Sequence, residues 1–439
     1  MSILWSTMPP AAGPALVPSA TGWLQPADGD PDVPAPPADT QRELAELTAI
    51  AAKRTHADVA RARWWNVGGP AYRWNELAID ALLDDFVTLP LAARHLALLH
   101  AAIDDAVAVA SAKQRVFRRP RPLDVDPAWT PVLAQPATGS YPSAFAAAAA
   151  AAGDVLGYLF PGRAKTFDTL AEEAARSRIV AGIEFPSDVA AGRAIGRAVA
   201  GLAIARGRAD GSDAKWTGSV PGGEGRWRGQ NPVAPAAATW RAWVLARPDE
   251  LRPPAPPAHD SERVRADLAE LKSIQRSPKM QHRAVYWEVF GGARAHALWN
   301  ELARTKLLEY ADAYDARVSS RVLAALNVAF ADAAIACWDA KFHYWTIRPS
   351  QLDADVRTIF PPPNHPSYPA AHGCLSAAAS SILAAAFPGD REALLARGRE
   401  AGEARVWAGI HYRFDVDAGQ ELGRKVADRV LARAFAVAR

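Results

Sequence analysis

The chain has 439 residues, of which 50 are basic and 47 acidic, and its formal net charge is +3. Because both signs are interleaved along the sequence, the charge gives no case for nucleic-acid binding. The length allows about two to four domains with large cores. The two cysteines, Cys337 and Cys374, lack zinc-site spacing and are expected to be buried free thiols.

Alanine is abundant and segments rich in Leu, Ala, Arg and Glu dominate, which predicts a mostly helical protein. Residues 1–39 are rich in Pro, Ala and Gly without periodicity, and we expect an extended or disordered arm. This N-terminus lacks the basic and apolar regions of a signal peptide. No apolar run seems suited by length and lack of charge to span a bilayer, so we expect a soluble protein that does not act at a membrane, in a location left open.

Helical patterning begins at Thr40, which we take as the N-cap, with Glu43 completing a capping box. Two further helices follow, separated at Leu89-Pro90. Residues 208–260 are rich in Pro, Gly and Trp and lack a regular period, so we expect an ordered, irregular strap. From Ser261 helical patterning returns and continues towards the C-terminus.

An internal repeat relates the two halves of the chain. The sequence WNELA occurs at Trp74 and again at Trp299, 225 residues later. An offset of 227 then relates Arg-Pro, Ser-Tyr-Pro and Phe-Pro-Gly in the first half to the same triplets and pairs in the second, and it continues through a set of single residues: Arg178, Gly182, Asp188, Gly192 and Gly196 match Arg405, Gly409, Asp415, Gly419 and Gly423. The sequence therefore predicts an all-α protein of two pseudo-repeated helical bundles, residues 40–207 and 261–439, joined by the strap.

The two copies differ at positions that carry chemistry. Phe145 stands opposite His372, Glu184 opposite His411, and Lys113 pairs with Lys341 only after a one-residue gap. We therefore expect the first bundle to be a structural partner without an active site. Its remaining charged residues are interpreted as satisfied ion pairs: Arg121, Arg178 and Asp188.

The candidate site lies in the second bundle, in three short segments. His411 and Asp415 are four residues apart, so on a helical turn the carboxylate can hold one imidazole nitrogen while the other faces a ligand. Nearby cationic side chains and a second histidine complete a set suited to a tetrahedral or trigonal-bipyramidal oxyanion: Lys341, Arg348, His372 and Arg405.

These segments resemble the shared motif of vanadium-dependent haloperoxidases and the type 2 phosphatidic acid phosphatase superfamily. The family pattern runs Lys, six residues, Arg-Pro; then Pro-Ser-Gly-His; then Ser-Arg, five residues, His, three residues, Asp. In this chain Ala370 and Ala371 replace the Ser-Gly of the middle segment, and Ala404 replaces the serine of the third. The missing hydroxyl removes a hydrogen bond to an oxyanion, a loss of roughly 1–3 kcal/mol if nothing replaces it.

The resemblance implies vanadate as cofactor, with His411 as its apical ligand held by Asp415. Three cations would surround the oxygens of the anion: Lys341, Arg348 and Arg405. His372 would be the acid–base group, His365 would lie on the halide side, and the backbone N–H of Ala371 would face the substrate. In the phosphatases, the residue at position 411 would instead attack phosphorus and the residue at position 372 would protonate the leaving alcohol.

The leading interpretation is thus a haloperoxidase-like enzyme that oxidises halide with hydrogen peroxide. The alternatives are a soluble phosphatase that uses His411 as nucleophile, and a vanadium-independent, repurposed homologue. The expected partners are small molecules, either halide and peroxide or a phosphate ester. A homodimer is left open.

Overall fold

A computed structural model of the protein describes residues 16–24, 31, 33–288, 293–311 and 315–436. In the first half, eight α-helices follow one another in the described chain: α1 Thr40–Ala52, α2 His56–Asn66, α3 Tyr72–Asp84, α4 Leu89–Phe117, α5 Pro122–Val125, α6 Ala144–Leu159, α7 Ala164–Ala181 and α8 Pro186–Arg208. Short 3₁₀ turns lie at Pro161–Arg163, Pro235–Thr239 and Pro388–Asp390.

The described part of the second half repeats this order: α9 Glu262–Ser273, α10 Pro278–Glu288, α11 Ala293–Glu309, α12 Ala316–Tyr344, α13 Pro349–Leu352, α14 Ala371–Ala386, α15 Arg391–Trp407 and α16 Arg413–Ala434. Helices α4 and α12 both have 29 residues, and α6 and α14 both have 16. Each of these pairs begins 227 residues apart, so the register read from the sequence is also the register of the helices. The predicted all-α fold of two repeated bundles is confirmed.

The start of α1 differs from the prediction. Asp39, and not Thr40, is the N-cap, and its carboxylate accepts a hydrogen bond from the N–H of Arg42. Glu43 is buried and ion-paired with Arg119 of the α4–α5 connection. The buried cation takes the carboxylate that a capping box would have used.

Helices α4 and α12 form the centre of one hydrophobic core that extends through both repeats. By length and composition both helices could cross a membrane, which corrects the expectation that no apolar run was long enough. Their apolar windows are 83% and 94% buried within the protein, as in the core helices of a soluble protein. The proposed domain boundaries remain a prediction.

The two WNELA copies meet at the junction of the repeats. The amide nitrogen of Asn75 donates to Oδ1 of Asn300 over 2.7 Å and lies 2.7 Å from Nε2 of His100. Asn300 in turn donates to Oδ1 of Asn327 over 3.0 Å, and Asn327 occupies the position equivalent to His100. All four side chains are fully buried, so the repeated sequence supplies a hydrogen-bonded seam between the bundles.

Repeated glycines bring helices close together within each bundle. A Cβ atom on Gly419 of α16 would lie 2.5 Å from the carbonyl oxygen of Ala370, just before α14. A Cβ on its equivalent, Gly192 of α8, would clash with the carbonyl oxygen of Ser143 before α6. Both bundles therefore require glycine where the last helix crosses the start of the alanine-rich helix.

The arm and the strap are attached to the core where the structure describes them. Strand β1, Val17–Pro18, pairs antiparallel with β2, Phe435–Ala436. The Trp23 indole donates to Oδ2 of Asp104 over 2.9 Å. In the strap, three successive backbone N–H groups beginning at Trp243 donate to the buried carboxylate of Asp332 on α12. The predicted irregular strap is thus packed on the core.

Candidate active site

The loop before α16 places the central histidine. His411 lies in this loop, and Asp415 is the third residue of α16. Nδ1 of His411 is 2.9 Å from Oδ2 of Asp415, and the same oxygen accepts hydrogen bonds from Oγ of Ser367 at 2.5 Å and from the N–H of Tyr412 at 3.1 Å. The four-residue spacing therefore produces the predicted contact across the start of a helix, with the carboxylate also capping that helix.

This arrangement fixes the form of the imidazole. Because Asp415 accepts the proton of Nδ1, the lone pair of His411 lies on Nε2. Burial first, and then the charges of Arg348 and Lys341, lower the pKa of His411 well below its usual value. Burial raises the pKa of Asp415, and the Ser367 hydroxyl and neighbouring cations oppose that rise. At neutral pH the histidine is therefore neutral, with one nitrogen able to act as ligand or nucleophile.

Arg348, the N-cap of α13, lies directly against this nitrogen. Its Nη1 is 2.9 Å from Nε2 of His411 and also donates to the carbonyl of Ile410. Its Nη2 donates to Nδ1 of His365 at 3.0 Å. Burial lowers the pKa of Arg348 to about 9, so it remains a cation at neutral pH. The structure thus brings His365 to the site through Arg348, and packs its ring 5.3 Å from that of Trp338.

Lys341 lies at the end of α12 and is fully buried. Its ammonium donates to three backbone carbonyls, those of Pro366, Ser367 and Pro369, over 2.9, 2.8 and 2.6 Å. Burial lowers the pKa of Lys341. The side chain therefore braces the loop that carries Ser367, and its three protons are all committed to that loop.

Arg405, near the end of α15, is the cation with unused donors. It is fully buried, and within the described residues its guanidinium nitrogens make no hydrogen bond of good geometry. Its Nη1 lies 2.6 Å from Oε2 of Glu288, an ion pair by distance. Nε2 of His372, the second residue of α14, lies 4.0 Å from the same carboxylate oxygen and also lacks a partner among the described residues. Glu288 is therefore the anion that this part of the site holds.

Two comparisons of the sequence and two of the structure bear on the family. The model of the PAP2 superfamily matches residues 95–209, and that of the VCPO second helical-bundle domain matches residues 392–439. The crystal structure of a bacterial vanadium-dependent iodoperoxidase superposes with a TM-score of 0.65 at 21% identity, covering 84% of this chain and 97% of that one. A holo-type bacterial vanadium-dependent chloroperoxidase gives 0.58 at 18%, covering 78% and 90%.

The chain belongs to the haloperoxidase and PAP2 superfamily. At these identities the structural likeness shows the fold, and the reaction must be argued from the site. Members of the superfamily are enzymes, both haloperoxidases and phosphatases.

The PAP2 match falls on the first repeat, where the equivalent positions hold different chemistry. Gln114, not Lys113, occupies the position of Lys341, and its amide donates to the carbonyl of Pro142 just as the lysine donates to that of Pro369. The one-residue gap in the predicted alignment was therefore wrong. No gap is needed because the hydrogen bond to the Ser-Tyr-Pro loop, and not the charge, is what the two positions share.

The ion pairs predicted for the first repeat are only partly present. Asp188 pairs with Arg119 at 2.7 Å, and Arg121 lies 3.4 Å from Glu184. Arg178 makes no ion pair with the described residues and has a single hydrogen bond, from Nη1 to Asn66. Its expected satisfaction is wrong, because its equivalent position was built for a ligand-facing cation and no carboxylate has replaced that ligand.

Sequence reasoning missed two residues of the second-repeat site. Ser367 donates to Asp415, and its signal was the repeated Ser-Tyr-Pro triplet, which had been used only for alignment. Glu288, at the end of α10, is more than 80 residues from His372 in sequence, and no motif announced it. Ala371 is the first residue of α14, so its N–H belongs to the first turn, where no intrahelical acceptor exists.

Proposed function

We propose that this protein is a vanadate-dependent, haloperoxidase-like enzyme that oxidises halide with hydrogen peroxide at the second-repeat site. The observation that carries the proposal is the buried, neutral His411, whose Nδ1–H is held by Asp415 and whose Nε2 lone pair lies among three buried cations. A neutral imidazole surrounded by cations is a donor set suited to a doubly or triply charged oxo-ion.

The unpartnered guanidinium of Arg405 supports a bound oxyanion such as vanadate. Within the described residues it lacks hydrogen-bond acceptors although it is fully buried, and an oxyanion would supply them. Vanadate would be held by His411, with Arg348 and Arg405 at its oxygens. When bound, it supplies a Lewis-acid centre that activates peroxide towards halide. Binding requires Arg348 to release Nε2 of His411.

His372 favours peroxide chemistry over phosphate-ester cleavage. Burial, followed by the charge of Arg405, lowers the pKa of His372 well below its usual value, so it is neutral at pH 7. A neutral imidazole can accept a proton from an incoming hydrogen peroxide molecule. It has no proton with which to assist a leaving alkoxide, which a phosphatase requires of this residue.

The soluble phosphatase remains the second candidate, since the lone pair on Nε2 of His411 is also a nucleophile for phosphorus. The repurposed, vanadium-independent homologue is the third, and Lys341 favours it. Its ammonium is fully engaged by backbone carbonyls, and Ala370 lacks the hydroxyl of the family pattern.

The decisive assay is bromination of monochlorodimedone with hydrogen peroxide by vanadate-loaded protein. We expect activity in the wild type and in His343→Ala, which changes an exposed histidine two residues from Lys341. We expect none in His411→Ala, with folding checked by thermal melting. If the protein without vanadate cleaves p-nitrophenyl phosphate and vanadate inhibits it, the phosphatase replaces the proposal. If neither reaction occurs and calorimetry detects no vanadate binding, the repurposed homologue replaces it.

A further inference from the structure

The first repeat contains a large cavity at the position equivalent to the second-repeat site. Its volume is about 1020 Å³, which is at the upper end of the range for small-molecule pockets. Arg121, Phe145, Arg178 and Glu184 line it. In the repeat register these residues correspond to Arg348, His372, Arg405 and His411. The start of α12 also contributes to the wall, so both repeats enclose the cavity.

Arg178 is a built anion-binding group in this cavity. Its exposed fraction is 3%, and Nε and Nη2 have no partner among the described residues. Its guanidinium lies flat over the Phe145 ring, with Cζ 4.1 Å from the ring centroid. Burial lowers its pKa to about 10, so the group is a cation at neutral pH. A buried cation with two free donor atoms calls for an anionic acceptor.

Arg121 and Glu184 restrict what that anion can be. Arg121 donates to the carbonyl oxygens of Thr138, Ile183 and Gly139 over 2.7, 2.9 and 3.2 Å, so the backbone satisfies most of its donors. Oε1 of Glu184 lies 3.4 Å from Arg121, while Oε2 is buried without a partner among the described residues. A ligand that satisfies both unpartnered groups must present an anionic oxygen to Arg178 and a hydroxyl to Glu184.

The remaining wall of the cavity is largely apolar, with Pro70, Pro120, Pro136 and Ile183 among its residues. Such a wall suits an apolar body attached to the anionic head. We infer that this cavity binds a small organic oxyanion that carries a hydroxyl beside its anionic head and an apolar group behind it, as in an aryl-substituted hydroxy acid.

The cavity binds this ligand without transforming it. Phe145 and Glu184 occupy the positions at which the second repeat has its two histidines, so the imidazole nucleophile and the proton-transfer imidazole are both missing from this pair of positions. The inference does not depend on the reaction of the second-repeat site, and either site can exist without the other.

The test is calorimetric titration of the full chain with mandelate, with phenylacetate as the matched probe that lacks the hydroxyl. We use the Arg405→Gln protein, in which the second-repeat site is impaired, so that binding reports the first repeat. We expect mandelate to bind with a dissociation constant of about 1 mM or lower. Phenylacetate and inorganic phosphate should each bind at least about tenfold more weakly, because one leaves Glu184 unpaired and the other leaves the apolar wall wet.

Arg178→Gln added to this protein should weaken mandelate binding at least about tenfold. Ala137→Trp, which changes an exposed residue of the cavity wall away from Arg178, should also block binding and does not depend on the folding of a buried variant. Absence of mandelate binding, or binding unaffected by both substitutions, would overturn the inference. Equal affinities for mandelate and phenylacetate would overturn the assigned role of Glu184 and with it the hydroxyl.

Discussion

Replacement of Asp415 by asparagine is the sharpest test of how the histidine is held. Oδ2 of Asp415 accepts three hydrogen bonds, from Ser367, His411 and the Tyr412 N–H, whereas Oδ1 has no partner among the described residues. An asparagine can therefore place its oxygen at the Oδ2 position and its amide nitrogen at the unpartnered one. The three bonds survive geometrically but lose their negative acceptor, so the imidazole becomes less basic.

The expected cost falls mainly on ligand binding. Removing the carboxylate that orients a ligating histidine typically lowers metal affinity or activity about 10- to 100-fold. We expect a loss of this size in vanadate affinity, measured by calorimetry, and in bromination rate. The thermal midpoint should change little, because the shape and the three bonds are retained.

Asp188→Asn is the matched control. Asp188 occupies the equivalent position and also accepts a backbone N–H at the start of its helix, that of Phe185 at 2.7 Å. It faces Arg119 in place of a histidine, so its substitution should lower stability by breaking a buried ion pair and leave activity per folded molecule unchanged. Unaltered vanadate affinity in Asp415→Asn, or an equal loss in both variants, would refute the role given to Asp415.

Three further predictions follow from the same structure. Ala370→Ser should raise the free energy of unfolding by about 1 kcal/mol in urea, because Ser143 caps the equivalent helix with its hydroxyl at 3.0 Å and Ala370 leaves that cap empty; no gain would contradict it. Glu288→Gln should tighten vanadate binding several-fold by calorimetry, since it removes the anion 2.6 Å from Arg405, and weaker binding would show that Glu288 is part of the binding set. His100→Asn should flatten the acid side of the stability curve. The pKa of His100 is lowered to about 3 by burial, so its contribution is complete above the unfolded pKa near 6.5 and is lost as the pH falls below it; between pH 6.5 and 5 the wild type should lose roughly 2 kcal/mol more than the variant, and equal losses would contradict this.

The repeat was accessible from the sequence because helix packing preserves spacing. Glycines such as Gly192 and Gly419 must recur wherever one helix crosses another closely, and the two WNELA copies must recur because they pair across the junction. The His411–Asp415 contact was also local, since four residues across a helix start place the two side chains together whatever the rest of the chain does.

The sequence by itself thus determined the helical class, the duplicated register and the identity of the basic and histidine side chains in the second-repeat site. Only the tertiary structure decided how those side chains are engaged, since burial and distant partners are set by packing between segments far apart in sequence. Lys341 turns its protons to backbone carbonyls, Glu288 reaches Arg405 from a different helix, and Arg178 is left buried beside a cavity. A spacing motif reports which groups are available, while the free energy of a buried charge depends on every atom around it.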